Sequence, residues 1–275
     1  MKKKILMFIA AGMTALALAA CGSKTAQDQT SAAGSEAAQS EESKAGEQAQ
    51  GSGLVQEGKL VMVTNAEFPP YEYHEANEIV GIDVEIAKEI AKKLGAELEI
   101  EDIAFGSIIP EVTSGKADIG MAGISVTEDR KLSVDFSNTY AKTTQVVIVK
   151  DDSAIAKPDE LEGKTIGVQE GTTGDILSGD IKDAVIERYA KGVEAVQSLM
   201  QNKVDAVVID QETAKVFVTE NSGIKILEES FVEEEYAIAI KKGNTALLEK
   251  VNKALEELKA EGKIDEIVNK YINAN

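Results

Sequence analysis

The chain has 275 residues, a formal net charge of −19 at pH 7, one Cys and one His. Its length allows two modest lobes with separate cores. The acidic excess argues against nucleic acid as a partner, because a phosphate backbone is bound by a basic face. One Cys and one His exclude an internal disulfide and a multi-Cys metal site, and leave little room for a His-based site or triad. We therefore expect neither a metal nor another cofactor.

Residues 1–20 predict a lipoprotein signal peptide. Residues 2–4 are lysines, and residues 5–20 are apolar but too short and too rich in Ala for a membrane span. The stretch ends in Leu-Ala-Ala-Cys-Gly at residues 18–22, which resembles a bacterial lipobox, so Cys21 is predicted to carry a lipid (palmitate). A plain secretory signal is the alternative, since it also has small residues at the cleavage point but does not need a Cys.

Residues 21–53 predict a flexible tether, because from residue 22 onward they contain no large apolar side chain that could be buried. A domain held by a lipid and a long tether is typical of a cell membrane's extracellular face. A Gram-positive-type surface fits better than a periplasm. We therefore predict a lipid-anchored protein at this location.

The folded part begins at Leu54, with a predicted strand over residues 59–64. A loop that contains two prolines follows, and it carries Phe68 and Tyr71. Aromatic rings on a loop at a strand end can line a pocket. A hydrophobic plug under the loop is the alternative, and it suits Tyr71 better than Phe68.

A helix is predicted from Asp83 to Leu94, because apolar residues recur there at helical spacing and Gly95 follows as a C-cap. Residues 98–100 predict a strand, and Ser107 is predicted to cap a short helix that reaches about residue 113. A further strand begins near residue 117. This β-α-β-α-β order with short joins indicates a mostly parallel sheet.

The stretch of residues 117–130 predicts a strand, then a turn, then a helix capped by Thr127. Ser125 and Arg130 stand at the two ends of the turn, whose backbone N–H groups are expected to be free. Free N–H groups, a hydroxyl and a guanidinium suit a carboxylate. Our hypothesis is that this turn grips the carboxylate of a small ligand. The alternative is an ordinary strand-to-helix junction with Arg130 on the surface.

A second β-α-β run follows, with predicted strands at residues 145–150, 165–168 and 204–209. The turn at 169–174 is rich in Gly and Thr and opens a helix, and another helix is predicted at 193–200. The last elements are a strand at 236–240 and helices near 245–260 and 264–271.

Ligands bind at the carboxyl ends of strands in such sheets. Four strand ends carry suitable groups: Asn65 and Phe68, Ser125 and Arg130, Gln169 and Thr173, and Asp210. One cation and one anion complement a zwitterion, with Arg130 on a carboxylate and Asp210 on an ammonium group. The alternative for Asp210 is a plain helix N-cap.

Several segments together resemble a known family. They are Gly-Ile-Asp-Val-Glu-Ile-Ala at 81–87, Gly-Lys-Ala-Asp at 115–118 continuing to Gly-Ile-Ser-Val-Thr-Glu-Asp-Arg at 123–130, Val-Asp-Phe-Ser at 134–137 and Leu-Glu-Gly-Lys at 161–164. From about Leu60 to its C-terminus, the chain resembles the bacterial extracellular solute-binding proteins that feed amino-acid ABC importers, family 3. The resemblance implies a binding protein with no catalytic residue. Its partners would be a free amino acid and a membrane permease, and it would be a monomer.

The resemblance also assigns roles to residues. Arg130 would pair with the α-carboxylate of the ligand, and Asp210 would take its α-ammonium. Ser125 and the main chain at Gly123 and Thr173 would assist Arg130.

Four further positions match residues around the ligand side chain. Phe68 and Phe105 would hold its aliphatic part between their rings, and Asn65 and Gln169 fall where specificity residues sit. Some members carry Asp at the position of Asn65, so a lysine or arginine ligand lacks a formal charge partner here. Glu67 and Glu170 could substitute, but both are interpreted as solvated. We predict a polar ligand, neutral or basic.

The implied fold is the α/β, two-lobed periplasmic-binding-protein fold of type II. Each lobe would be a mostly parallel sheet flanked by helices, and a two-strand hinge would join them. Lobe 1 would comprise residues 54–140 plus 239–275 and lobe 2 residues 145–233. The hinge would lie at about 139–144 and 234–238.

Two other functions use the same architecture. A secreted dehydratase of cyclohexadienyl acids needs an acid catalyst in the cleft, but His74, in a polar loop at 73–75, and the acidic run at 233–235 are both interpreted as solvated. A ligand-sensing receptor subunit would need a partner for its output. We therefore predict a binding protein and no enzyme.

Overall fold

The computed structural model describes residues 53–272. The predicted signal peptide, Cys21 and nearly all of the predicted tether lie outside the described residues. Within residues 53–272, no helix is both long enough and apolar enough to cross a membrane.

The elements in chain order up to the first crossing between sheets are β1 (Lys59–Thr64), β2 (Glu67–Phe68), β3 (Glu72–Glu75), β4 (Glu78–Val80), α1 (Ile82–Leu94), β5 (Glu97–Asp102), α2 (Ile108–Ser114), β6 (Ile119–Gly120), α3 (Glu128–Ser133) and β7 (Val134–Phe136). After them come β8 (Ala141–Lys150), β9 (Thr165–Gln169), α4 (Thr173–Gly179), β10 (Val185–Tyr189), α5 (Gly192–Met200), β11 (Ala206–Asp210), α6 (Gln211–Glu220), β12 (Ile224–Ile226), β13 (Val232–Tyr236), β14 (Ala239–Lys241), α7 (Thr245–Ala260) and α8 (Lys263–Ile272). Single 3-10 turns lie at Phe105–Ser107 and Pro158–Leu161.

Two large sheets form the two lobes. The first has the order β5-β1-β6-β14-β7, and the second has the order β10-β9-β11-β8-β12, with β13 also paired to β8. In each sheet one side is parallel and the other antiparallel: β1 runs parallel to β5 and β6, whereas β14 runs antiparallel to β6 and β7. Strands β2, β3 and β4 make a small separate antiparallel sheet. The fold is thus the two-lobed α/β architecture that the sequence predicts.

The central strands contain continuous buried runs that are mostly apolar, because helices and loops cover both faces of the sheets. All five residues of β11 are buried, as are residues 145–149 of β8. Strands buried on both faces show continuous apolar runs in place of alternation. Helix α1 is confirmed with its predicted end, since Gly95 has φ 69° and its N–H bonds the carbonyls of the last turn.

The chain passes between the two sheets at two neighbouring segments. One joins β7 to β8, and the other joins β13 to β14. They run side by side, since the N–H of Tyr140 donates to the carbonyl of Tyr236 at 3.0 Å and that of Ser137 to Ile238 at 3.0 Å.

Three local predictions are wrong. The single late strand over 236–240 is two strands, because Tyr236 pairs with Ala141 in the second sheet and Ala239 pairs with Gly120 in the first. The side chain of Ser107 makes no capping hydrogen bond to α2. Residues 73–75 belong to β3 and are not a loop. There the ring Nε2 of His74 lies 2.8 Å from Asp102, in an exposed pair.

Candidate functional site

One cavity between the lobes collects all nine residues that the sequence predicts for a ligand. It is lined by Asn65, Phe68, Glu72, Phe105, Ala122, Gly123, Ser125, Arg130, Gln145, Gln169, Thr172, Thr173, Val208, Ile209, Asp210 and Tyr236. The carboxyl ends of β1, β9 and β11 open onto it, as expected for sheets of this kind. Its volume is about 20 Å³, which is room for about one water molecule.

Arg130 is buried, with 8% of its surface exposed. Its Nη1 donates to the carbonyl of Ser125 at 2.8 Å and its Nη2 to that of Gly171 at 3.1 Å, and its Cζ lies 5.5 Å from the centre of the Phe105 ring. Among residues 53–272, no carboxylate lies within ion-pair distance, 4.0 Å, of the guanidinium. Burial lowers the pKa of Arg130, and the charge of Glu234 opposes that shift. The surface-arginine alternative is therefore wrong.

The turn before α3 differs from the prediction in one respect. Thr127 does cap the helix, because its Oγ1 accepts from the N–H of Arg130 at 3.2 Å. However, the N–H of Gly123 donates to the Asp83 carboxylate at 2.9 Å, and the N–H of Val126 donates to a main-chain carbonyl of β13 at 3.1 Å. The expectation of free N–H groups is wrong at both positions, since the fold itself supplies their acceptors.

Gly123 is required by its surroundings. Its φ is +53°, and a Cβ there would lie 3.0 Å from a ring carbon of Phe68 and 3.2 Å from one of Tyr236. A side chain would push both rings away from the cavity wall.

Asp210 is the helix N-cap that the alternative interpretation predicts, and its role toward an ammonium group stays a prediction. It is fully buried and caps α6, because its Oδ1 accepts from the N–H groups of Glu212 at 2.8 Å and Thr213 at 3.2 Å. Its Oδ2 accepts from the hydroxyls of Tyr236, at 2.9 Å, and Thr143. Burial raises the pKa of Asp210 to about 6. The residue is a helix cap that also lines the cavity.

Glu72 is the charged residue among the cavity-lining residues that the sequence analysis missed. It is 1% exposed, and its carboxyl group shares a hydrogen bond with that of Asp83 and has no other partner in the described part of the chain. Burial, and then the charge of nearby Asp83, hold the pKa of Glu72 well above its usual range. Asp83 is itself fully buried, with its pKa raised to about 6 by burial, and it accepts from the Tyr140 hydroxyl at 2.8 Å. This end of the cavity is acidic.

Two further polar contacts join the lobes near Asn65, in addition to that between Arg130 and Gly171. Nε2 of Gln169 donates to Oδ1 of Asn65 at 2.8 Å, so the two predicted specificity residues bond each other. Lys191 pairs with Glu67. The interpretation of Glu67 as solvated is therefore wrong, because a lysine of the other lobe reaches it.

Ser125 and Thr173 meet at the other end, with their hydroxyl oxygens 3.3 Å apart. The Ser125 hydroxyl also donates to Glu234 at 2.9 Å, and so does Nε2 of Gln145 at 3.0 Å. The acidic run at 233–235 is therefore not solvated throughout, since Glu234 is half-buried. The alternation along a strand, with Glu234 on the same face as buried Tyr236, was the signal that could have found it.

The described residues contain no group of three or more His, Cys, Asp or Glu side chains that could hold a metal ion. What the arrangement offers is a guanidinium with hydroxyls at one end and carboxyl groups at the other. Such a pair of ends suits a small zwitterion with a polar or cationic side chain.

Comparison with known proteins gives the same picture. The family model described as bacterial extracellular solute-binding proteins, family 3, matches residues 60–274. The arginine-binding extracellular protein ArtP of Bacillus subtilis (strain 168) is 34% identical over 278 residues, which cover 98% of each chain.

Two solved structures are similar to this fold. An ancestral arginine-binding protein bound to arginine has 41% sequence identity and a TM-score of 0.75, over 78% of this chain and 98% of that one. An ancestral amino-acid-binding protein described as a precursor of cyclohexadienyl dehydratase has 31% identity and a TM-score of 0.73, over 78% of this chain and 96% of that one.

Proposed function

The chain belongs to the bacterial extracellular solute-binding proteins, family 3, and from this premise we propose that it binds free arginine between its lobes and delivers it to an ABC permease. Arg130 takes the α-carboxylate with help from Ser125 and from Thr173, the first residue of α4. Asp210 takes the α-ammonium. The similarity of the chain to proteins that are described as arginine-binding supports arginine as the ligand.

Binding requires the lobes to move. A cavity of about 20 Å³ is too small for an amino acid, so the lobes separate about the two crossing segments and close again over the ligand. We place this hinge at about residues 139–144 and 234–238, between lobe 1 (54–140 plus 239–275) and lobe 2 (145–233). Closure removes water, which strengthens both ion pairs as the local dielectric falls.

Glu72 carries the choice of arginine over a neutral amino acid. It is a buried carboxyl group that lines the cavity, and its partner in the described chain is another buried carboxyl group, that of Asp83. A guanidinium placed there supplies donors that this pair of acids lacks and favours the charged form of Glu72. The pKa of Glu72 stands well above its usual range before binding, so arginine binding releases a proton. Phe68 and Phe105 flank the aliphatic part.

Calorimetry with arginine, citrulline, lysine, histidine, glutamine and cystine tests the ligand. Citrulline is the neutral isostere of arginine, so the ratio of their affinities isolates the charge of the guanidinium. We expect E72Q to reduce that ratio by roughly ten- to a hundredfold, as for a buried charge pair. E75Q, an exposed acid on the same strand, serves as the control. Proton release is read from the dependence of the heat on buffer ionisation, and equal affinity of the wild type for all six ligands would overturn the assignment.

A dehydratase is the second candidate, because a protonated acid such as Glu72 in the cavity is what general acid catalysis requires. Incubation with a cyclohexadienyl amino acid or keto acid, with detection of phenylalanine or phenylpyruvate, separates the two functions. We expect no release of either product.

The location of the protein is also a proposal. The sequence of residues 1–22 supports cleavage before Cys21 and lipid attachment to it, with residues 21–53 as a tether to the extracellular face of the membrane. Mass spectrometry of the membrane fraction tests this, and C21S is expected to move the protein into the medium. Sedimentation tests whether the domain is a monomer.

A further inference from the structure

Glu234 lies where the hinge, the cavity and the solvent meet. It pairs with Thr143 in the register of β13 and β8. Its neighbours Glu233 and Glu235 are exposed, whereas Glu234 is half-buried on the face that also carries Tyr236. Alternation along the strand therefore turns one carboxylate of this acidic run inward.

A single oxygen of Glu234 makes both of its contacts. Oε2 accepts from the Ser125 hydroxyl at 2.9 Å and from Nε2 of Gln145 at 3.0 Å. Ser125 belongs to the turn that also holds Arg130, whose Nη1 donates to the Ser125 carbonyl. The carboxylate of Glu234 therefore borders the end of the cavity that is built for an anion.

Arg130 has no carboxylate within ion-pair distance among the described residues, and Glu234 is the acid whose charge acts on its guanidinium. The α-carboxylate of a ligand at Arg130 would be a second anion near Glu234. Two carboxylates near the same guanidinium repel each other, and the partial burial of Glu234 limits the screening of this repulsion by salt.

We propose that Glu234 is an internal counterion of Arg130 that competes with the α-carboxylate of the ligand, and so weakens the binding of every amino acid by a similar factor. This inference rests on the proposed function, and it deepens it: Glu72 discriminates between side chains, whereas Glu234 sets the common affinity. Very tight closure over the ligand would slow the release of the ligand to a permease. Glu234 limits how tightly the ligand is held, because it competes with the ligand carboxylate.

The surroundings give the displaced carboxylate a place to go. A groove of about 990 Å³ that is open to solvent lies outside Ser125 and Thr173, and Glu234 lines it. A rotamer change would take the Glu234 carboxylate from the cavity end into this groove when a ligand arrives, where water and salt screen its charge.

The substitution E234Q separates charge from position. A Gln carbonyl oxygen can accept both hydrogen bonds that Oε2 accepts now, so Ser125 and Gln145 keep their partner while the negative charge is lost. E233Q removes the same charge from the exposed face of the same strand and is the matched control.

Calorimetry with arginine, citrulline and argininamide tests the proposal. We expect E234Q to tighten arginine and citrulline alike, by roughly three- to tenfold for a half-buried charge. Argininamide lacks the carboxylate charge, so its affinity should change by less than about twofold on the same argument. E233Q should change none of the three.

Two outcomes overturn the proposal. Weaker arginine binding by E234Q would show that Glu234 supports the site, and equal tightening of argininamide would show that it acts on closure and not on the carboxylate.

Thermal unfolding without ligand gives an independent readout from wild type, E234Q, R130Q and the double variant. We expect E234Q to lower the Tm by roughly 2 °C only when Arg130 is present, and additive effects would contradict the counterion. If the wild type binds no amino acid, the proposed function fails, while this unfolding cycle still decides whether Glu234 and Arg130 are coupled.

Discussion

The two ends of the cavity are built in different ways. The cationic end comes largely from one continuous stretch, in which Ser125 and Arg130 are five residues apart and bonded to each other. The acidic end is assembled from separate segments: Glu72 in β3, Asp83 in α1 and Asp210 at the end of β11. A local motif thus supplies the groups that we propose for the α-carboxylate, whereas long-range packing supplies those that we propose for the α-ammonium and the side chain.

The largest expected effect breaks the cationic end. R130A should weaken arginine binding by roughly 10²–10³-fold, because the ligand carboxylate would be buried without its charged partner. Citrulline should lose as much, since it has the same carboxylate. Calorimetry measures both, and R188A, at the half-exposed second arginine of the chain, is the control. Wild-type affinity in R130A would mean that the carboxylate lies elsewhere.

A medium effect concerns the acidic end alone and depends on pH. Burial raises the pKa of Asp83 from 3.8, the ordinary value of an Asp carboxyl group, to about 6 in the folded protein. The folded state therefore holds more protons between about pH 4 and pH 6, and stability from this group falls as pH rises through that window. Across this window the free energy of unfolding falls by at most about 3 kcal/mol because of this group.

The variant D83N tests this pH dependence. Its amide oxygen can still accept from Gly123 and Tyr140, but the buried charge is gone. We expect D83N to raise the Tm relative to wild type more at pH 8 than at pH 4.5, as measured by calorimetric scans of the ligand-free protein. A Tm difference that is the same at both pH values would show that Asp83 does not titrate in this range.

The smallest expected effect should be the same for every ligand, because it concerns an ion pair between the lobes. Glu67 and Lys191 pair across the lobes with 27% and 44% of their side chains exposed, and such pairs contribute roughly 0.2–1 kcal/mol. We expect E67Q to speed the dissociation of arginine and citrulline by about two- to fivefold on that scale, as followed by stopped-flow fluorescence. E162Q, which breaks the exposed pair with Lys182 inside lobe 2, should leave both rates unchanged. A changed dissociation rate for only one of the two ligands would mean that Glu67 contacts the ligand inside the cavity and does not act through its ion pair at the cavity's edge.

The sequence predicted the strands and helices that carry strong periodicity, such as α1 and α7, and it brought nine residues to one cavity. It failed where two environments alternate within a few residues. The apolar run from Tyr236 to Ile240 looks like one strand, yet its two halves pair in different sheets. Glu72 looks like a surface acid, because only the packing of distant segments shows that it is buried, whereas the half-buried Glu234 could have been found from its alternation with Tyr236 along the strand.

Tyr236 is the last residue of β13, at the point where the chain passes from one sheet to the other. Its hydroxyl donates to Asp210 inside the cavity, its ring packs edge-on against Tyr71 at 5.2 Å, and its carbonyl accepts from Tyr140 on the neighbouring crossing segment. Tyr236 therefore contacts both the cavity and the neighbouring crossing segment directly. If lobe rotation occurs at the hinge that we propose, a ligand that moves Asp210 would also change the contacts of Tyr236 at that hinge.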